Sequence, residues 1–124
     1  MALVMIVDDD PQMLRLLTDV VELDNHDVLL AQDGALALEY FEFHAPDLMI
    51  TDILMPNKEG LELISEIREK FPGVKIIAYS GGGSANPESY LEFAKGMGAD
   101  KVFTKPVPLA SLRQEIQSLL GGQN

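Results

Sequence analysis

Five short, mostly apolar runs recur along the chain, each followed by a stretch of helical periodicity. The runs are Ala2 to Val7, Val28 to Ala31, Leu48 to Ile50 continuing into Thr51-Asp52, Val74 to Tyr79, and Lys101 to Thr104. Apolar runs of this length bounded by breakers read as strands covered on both faces. Between them the punctuation is helical. Asp10 suits an N-cap and Pro11 the first helical position. The helix that follows carries Leu14, Leu17 and Val21 on one face, with Met13, Leu16 and Val20 beside them, and should end near Asp24-Asn25. Asp33-Gly34 opens a second helix through about Phe43, with Ala35, Leu38 and Phe41 or Glu42 at helical spacing. After a polar turn over Asn57 to Gly60, Leu61, Ile64, Ile67 and Phe71 line a third helix that Pro72-Gly73 ends. Asn86-Pro87 begins a fourth, with Tyr90, Leu91, Ala94 and Met97 apolar and Gly96 and Gly98 as terminators. Pro108 begins a fifth on Leu109, Leu112, Ile116, Leu119 and Leu120, stopped by Gly121-Gly122. Strand and helix alternating five times predict an α/β fold: a doubly wound parallel sheet with helices on both faces and right-handed crossovers.

A parallel sheet collects its strand ends on one edge, where ligands and chemistry gather. Asp8-Asp9 ends the first run, Asp52 the third, Ser80 the fourth and Lys105 the fifth. Only the second run ends without a polar group of this kind. The first loop discriminates between chemistries. A nucleotide or flavin phosphate needs glycines and free backbone N–H groups there. This loop holds Asp8, Asp9 and Asp10 instead. Carboxylates crowded together repel one another and repel phosphate unless a cation lies between them. A hard divalent ion suits such oxygens, and Mg2+ takes one or two carboxylates while keeping several waters. Asp8, Asp9 and Asp52 therefore read as a Mg2+ (or Mn2+) site. The plainer alternative is that Asp10 caps a helix and its neighbours are solvated.

A carboxylate can also attack a phosphoryl group and become an acyl phosphate. Such transfer is mostly positioning and neutralisation of the phosphoryl oxygens. In that chemistry Asp52 is the nucleophile, Lys105 a point charge on the phosphoryl oxygens and Ser80 a hydroxyl donor. Taken singly, Ser80 also reads as a turn residue and Lys105 as a surface lysine.

Composition narrows the remaining classes. The chain has 124 residues, the size of one domain, and 47% of them are hydrophobic, enough for a core. There is no cysteine, which excludes disulfides and thiolate metal sites and fits a reducing compartment. No apolar stretch approaches the length of a membrane span, and no secretory leader is visible. Nine Lys and Arg stand against twenty Asp and Glu, for a net charge of −11. The cations are scattered, which argues against direct binding of nucleic acid.

With these residues assembled, the chain resembles a receiver domain of the two-component response-regulator family. Ile6-Val7-Asp8-Asp9-Asp10 is similar to the family's acidic motif after the first strand. Thr51-Asp52-Ile53-Leu54-Met55-Pro56, followed by Gly60, is similar to the segment around its phospho-accepting aspartate. Ser80 falls at its Ser/Thr position, and Gly98-Ala99-Asp100 with Lys105-Pro106 is similar to its fifth-strand motif. The resemblance spans essentially the whole chain. It implies a flavodoxin-like fold with strand order 2-1-3-4-5, residues 1–120 forming the receiver and 121–124 a tail. It implies that Asp8 and Asp9 position Mg2+, that Asp52 is phosphorylated, and that the main-chain carbonyl of Leu54 completes the metal shell. A cis peptide before Pro106 is implied as well. The implied donor is a sensor histidine kinase or a histidine phosphotransfer protein, with small acyl phosphates as substitutes. The implied setting is cytoplasmic signalling, with catalysis limited to the protein's own phosphorylation and dephosphorylation. The receiver would be a monomer or a phosphorylation-linked dimer acting on a downstream protein, without membrane or direct nucleic-acid binding.

The chain departs from the family in two places. Receivers commonly carry Tyr or Phe three residues before the lysine, and here that position is Val102. Phe103 is adjacent, but one step along a strand points to the opposite face. The Gly81-Gly82-Gly83 loop is the expected carrier of the conformational change instead. Leu54 and Gly82, two residues beyond Asp52 and Ser80, offer no side chain to orient a hydrolytic water. Slow self-dephosphorylation is therefore expected, and decay of phospho-Asp52 within seconds in Mg2+ would refute it. Two other readings stand beside the phospho-acceptor: a receiver-like scaffold that binds partners without phosphorylation, and a flavodoxin-type carrier or small phosphatase. Tyr90, Leu91, Val107 and Leu109 are candidates for either core or a partner surface. The sequence is compatible with a stand-alone receiver or a piece of a longer protein.

Overall fold

The structure, a computed structural model, describes residues 2–53, 60–81 and 87–121, with the backbone alone at 87–91. The elements run β1 (Leu3–Val7), α1 (Pro11–Glu22), β2 (Asp27–Ala31), α2 (Gly34–His44), β3 (Leu48–Asp52), α3 (Gly60–Lys70), β4 (Lys75–Ser80), α4 (Pro87–Met97), β5 (Lys101–Thr104) and α5 (Leu109–Leu119). All strand pairs are parallel and the sheet order is β2-β1-β3-β4-β5. This is the expected flavodoxin-like arrangement. No helix among the described residues is long and apolar enough to cross a membrane.

The period-2 alternation of the strands builds two cores. Met5, Val7, Met49, Ile76 and Ala78 face α2, α3 and α4, where Phe41, Leu63, Ile64 and Ile67 meet them. Val4, Ile6, Leu48, Ile50, Ile77 and Tyr79 face α1 and α5, against Leu14, Leu17, Val21, Leu112 and Ile116. Both faces of β3 are therefore buried along its whole length, as its apolar run from Leu48 to Ile50 requires.

The caps explain where the first two helices start. Asp10 accepts a hydrogen bond from the Gln12 N–H at 2.9 Å, with Pro11 at the first position. Asp33 accepts from the Leu36 N–H at 2.9 Å. Three expectations need correction. Leu16 is exposed, because Leu14, Leu17, Val20 and Val21 already fill the stripe that α1 turns to the sheet. On α2 the buried face is Gly34, Ala37 and Phe41, with Ala35 exposed and Leu38 half-buried. The bulk of Phe41, its ring tilted against that of Phe71 with centroids 5.2 Å apart, sets that rotation. Gly96 lies within α4, and the chain turns at Gly98, whose φ of +127° suits glycine.

Arg68 on α3 ties the amino edge of the sheet. Its guanidinium donates to the Gly98 carbonyl at 2.8 Å, to Pro72 at 2.9 Å, to Val74 at 2.7 Å and to the Asp100 carboxylate at 2.9 Å. Asp100 also accepts the Ile76 N–H at 2.8 Å, so one side chain joins α3, β4 and the approach to β5. Arg68→Ala is expected to destabilise the fold by about 2 kcal/mol, in the range of hydrogen bonds to charged groups. Lys at this position should recover only part of that, because an ammonium cannot reproduce the planar fork. Urea unfolding of the three proteins checks both statements.

Candidate phosphoryl-acceptor site

The three aspartates after β1 have three different surroundings. Asp10 caps α1, as above. Its own N–H donates to Asp8 Oδ1 at 2.9 Å, which turns the Asp8 carboxyl back over the sheet edge. Asp8 is fully buried, whereas Asp9 projects into solvent. Asp52 ends β3 only 6% exposed. Each of Asp8, Asp9 and Asp52 offers one oxygen, and these lie within 4.8 Å of one another. Register explains the meeting. Val7 pairs with Thr51 across β1 and β3, so the next residues, Asp8 and Asp52, leave the sheet side by side.

The cation comes from the residue just past β5. Lys105 Nζ lies 3.6 Å from Asp52 Oδ2. Its backbone N–H donates to the Ser80 carbonyl at 2.8 Å, which continues the β4–β5 ladder past Thr104. The Lys105–Pro106 peptide is cis, as the resemblance implied. Ser80 is buried at the end of β4, and its hydroxyl is the one buried side-chain polar atom without a hydrogen-bond partner among the described residues. Buried hydroxyls are normally satisfied, so this atom is suited to a ligand's oxygen.

Burial pushes the Asp8 carboxyl above the usual carboxylate range, and the neighbouring charge of Asp9 adds to that. The Tyr79 hydroxyl, the Asp10 N–H and Lys105 pull the other way without cancelling it. The folded state thus holds a proton on Asp8 more readily than the unfolded chain does. Without metal, ionised Asp8 lowers stability above its raised folded value. That penalty is relieved as pH falls through that value. Metal-free Asp8→Asn is therefore expected to be more stable than wild type at pH 7, with the gap closing on acidification. Paired thermal melts in chelator would check it.

Asp8, Asp9, Asp52, Ser80 and Lys105, singled out from sequence, all fall at the carboxyl edge of the sheet. Leu54, whose carbonyl was expected in the metal shell, lies outside the described residues, as do Gly82 and Gly83. Val102 faces the α2–α4 core and Phe103 the α1–α5 core, the opposite orientations that alternation required. Tyr79 is a site residue that sequence reasoning missed. Its ring is buried in the α1–α5 core, and its hydroxyl donates to Asp8 Oδ2 at 2.6 Å. The available signal was parity: Tyr79 shares a face with Asp52, and a buried phenol needs an acceptor.

The profile of the response regulator receiver domain family matches residues 4–117. The chain belongs to this family. Phosphorylation by a kinase is the family's general function. The receiver is 34% identical over 117 residues to the chemotaxis protein CheY of Halobacterium salinarum, covering 94% of this chain and 95% of that protein. It is 32% identical to the nisin biosynthesis regulatory protein NisR of Lactococcus lactis, covering 93% of this chain but only 48% of that regulator. Among solved structures it superposes on a CheY-like receiver domain protein from Methanospirillum hungatei with a TM-score of 0.87 and 29% identity, covering 98% and 95% of the two chains. A receiver domain protein from Clostridium thermocellum gives 0.88 at 26% identity, covering 98% and 96%. The receiver spans about half or less of the length of the regulatory proteins NisR, TrcR and GlrR, which it matches.

Proposed function

We propose that this receiver accepts a phosphoryl group on Asp52, with a divalent cation, Mg2+ or Mn2+, held by Asp8, Asp9 and Asp52. The observation that carries the reading is the convergence on Asp52. Carboxylate oxygens from the ends of two neighbouring strands gather within 4.8 Å of one another, with an ammonium at 3.6 Å and a buried hydroxyl awaiting a partner. The donor set fits the metal, since hard divalent ions are bound by oxygens and three clustered carboxylates need positive charge between them. When bound, the cation neutralises charge on the carboxylates and on the incoming phosphoryl oxygens.

The residues of the chain supply the rest. An Asp52 oxygen attacks phosphorus in line, forming the O–P bond as the donor's bond to phosphorus breaks and its electron pair leaves with the donor. Lys105 already neighbours Asp52 and follows the negative charge onto the phosphoryl oxygens. The Ser80 hydroxyl, lacking an acceptor beforehand, donates to one of those oxygens. This draws the end of β4 toward the site, and a change in the surface beyond it is what a downstream protein would read. The donor is a sensor histidine kinase or histidine phosphotransfer protein, and the receiver catalyses only its own phosphorylation and dephosphorylation. It acts as a monomer or as a phosphorylation-linked dimer.

Intact-mass measurement after incubation with Mg2+ and acetyl phosphate tests this. The expected result is a gain of one phosphoryl group that chelator abolishes. An unmodified protein under these conditions, with no change on adding beryllofluoride, would leave the non-phosphorylated scaffold as the better reading.

A further inference from the structure

A buried tyrosine commonly finds one acceptor for its hydroxyl, and any nearby carbonyl would serve. Tyr79 instead donates to a carboxylate of the metal cluster. Its ring lies under the second charged group of the site, with Lys105 Nζ 5.5 Å from the ring centroid. Register accounts for both contacts. Tyr79 pairs with Asp52 across β3 and β4, so its side chain leaves the sheet on the face shared by Asp52 and Asp8. It stands two strands from Asp8, a gap of roughly 10 Å, which a phenol spans and a shorter side chain would not. On the other side it pairs with Phe103, two residues before Lys105. We propose that Tyr79 is a positioning residue for the metal site. Its hydroxyl holds the Asp8 carboxyl in the orientation that receives the divalent cation, while its ring supports the charge of Lys105. The proposal rests on the reading of Asp8, Asp9 and Asp52 as a cation site.

Both carboxylate oxygens of Asp8 are engaged. Oδ1 accepts the Asp10 N–H at 2.9 Å and Oδ2 accepts the Tyr79 hydroxyl at 2.6 Å. One donor on each oxygen pins both, and each retains a lone pair for a cation or its water. Without the hydroxyl, the carboxyl is held at one oxygen only and is free to swing about that bond. Partners that orient a metal ligand in this way typically matter about 10–100-fold in affinity.

Tyr79→Phe separates the two parts, because it removes the hydroxyl and retains the ring in the core and beneath Lys105. Calorimetric titration with Mg2+ alone is expected to show affinity weakened about tenfold relative to wild type. The rate of modification by acetyl phosphate at saturating Mg2+ should be recovered, with only its half-saturation for Mg2+ shifted. A hydroxyl that merely satisfied the core would move thermal stability and leave that half-saturation alone. In wild type, the phenolic proton of Tyr79 should shift on addition of Mg2+ in NMR spectra, a readout that requires no variant to fold. Equal Mg2+ affinity in the two proteins, or a phenolic proton indifferent to Mg2+, overturns the assignment of Tyr79 alone. A wild-type protein that binds no Mg2+ overturns it together with the cation site.

Discussion

Asp52→Asn is expected to reduce phosphoryl acceptance to background while the protein folds as well as wild type or better. The amide has nearly the same shape, so the packing of β3 between β1 and β4 is retained. What disappears is the anionic oxygen proposed to attack phosphorus. A neutral amide is a poor nucleophile, and no positioning compensates for that. Stability should hold because Asp52 is nearly buried and shares its surroundings with Asp8 and Asp9, so removing one charge relieves repulsion. The salt bridge to Lys105 is lost as well, but at 3.6 Å with a one-third exposed lysine its contribution is small. Intact mass after acetyl phosphate treatment, read beside a thermal melt, gives both halves. A phosphoryl group still gained by the variant would move the acceptor to Asp8 or Asp9.

Gly60→Ala is the second large effect. A Cβ at residue 60 would stand 2.4 Å from the Asp52 carbonyl oxygen, 2.5 Å from Ile53 Cα and 2.7 Å from the Ile53 carbonyl oxygen. All three are backbone atoms. They cannot move away cheaply, because β3 is bonded on both sides and the Ile53 N–H is held by the Tyr79 carbonyl at 3.0 Å. The Gly60 N–H also donates to the Ile53 carbonyl at 2.7 Å, which keeps the start of α3 pressed against the end of the strand. Relief requires α3 to lift or the Asp52 backbone to shift. The expected loss is about 3 kcal/mol, the upper end for overpacking. A displaced nucleophile should also slow phosphoryl acceptance by up to about 10²-fold. Gly96→Ala is the control: nothing lies within 4 Å of the added atom, and the residue sits in an exposed helical position. That change is expected to stabilise by about 0.5–1 kcal/mol. Urea midpoints of the two variants moving in opposite directions would support the reading, and a neutral Gly60→Ala would refute it.

Much of this was legible without coordinates, for identifiable reasons. A strand covered on both faces has to be apolar throughout, so Ala2 to Val7 and Leu48 to Ile50 declare themselves. Asp10-Pro11 and Asp33-Gly34 announce helix starts because backbone N–H groups there need acceptors. Parallel strands share one carboxyl edge, so polar residues at their ends converge without any knowledge of packing. Helix rotation was harder. On α2, apolar residues occur nearly all round, so helical spacing picked Ala35 where the fold buries Ala37.

The one-dimensional order of residues determined the strand–helix alternation, the sheet edge that holds Asp8, Asp9, Asp52, Ser80 and Lys105, and the chemistry those groups share. Each follows from local rules: burial sets the period, breakers set the ends and charge sets the ligand. Only the folded arrangement decided that Tyr79 bonds Asp8, that Gly60 lies against the Asp52 carbonyl and that Arg68 binds the opposite edge. Those contacts join residues 71, 8 and 30 positions apart. They depend on strand register and helix tilt to within an ångström, which local sequence rules do not specify.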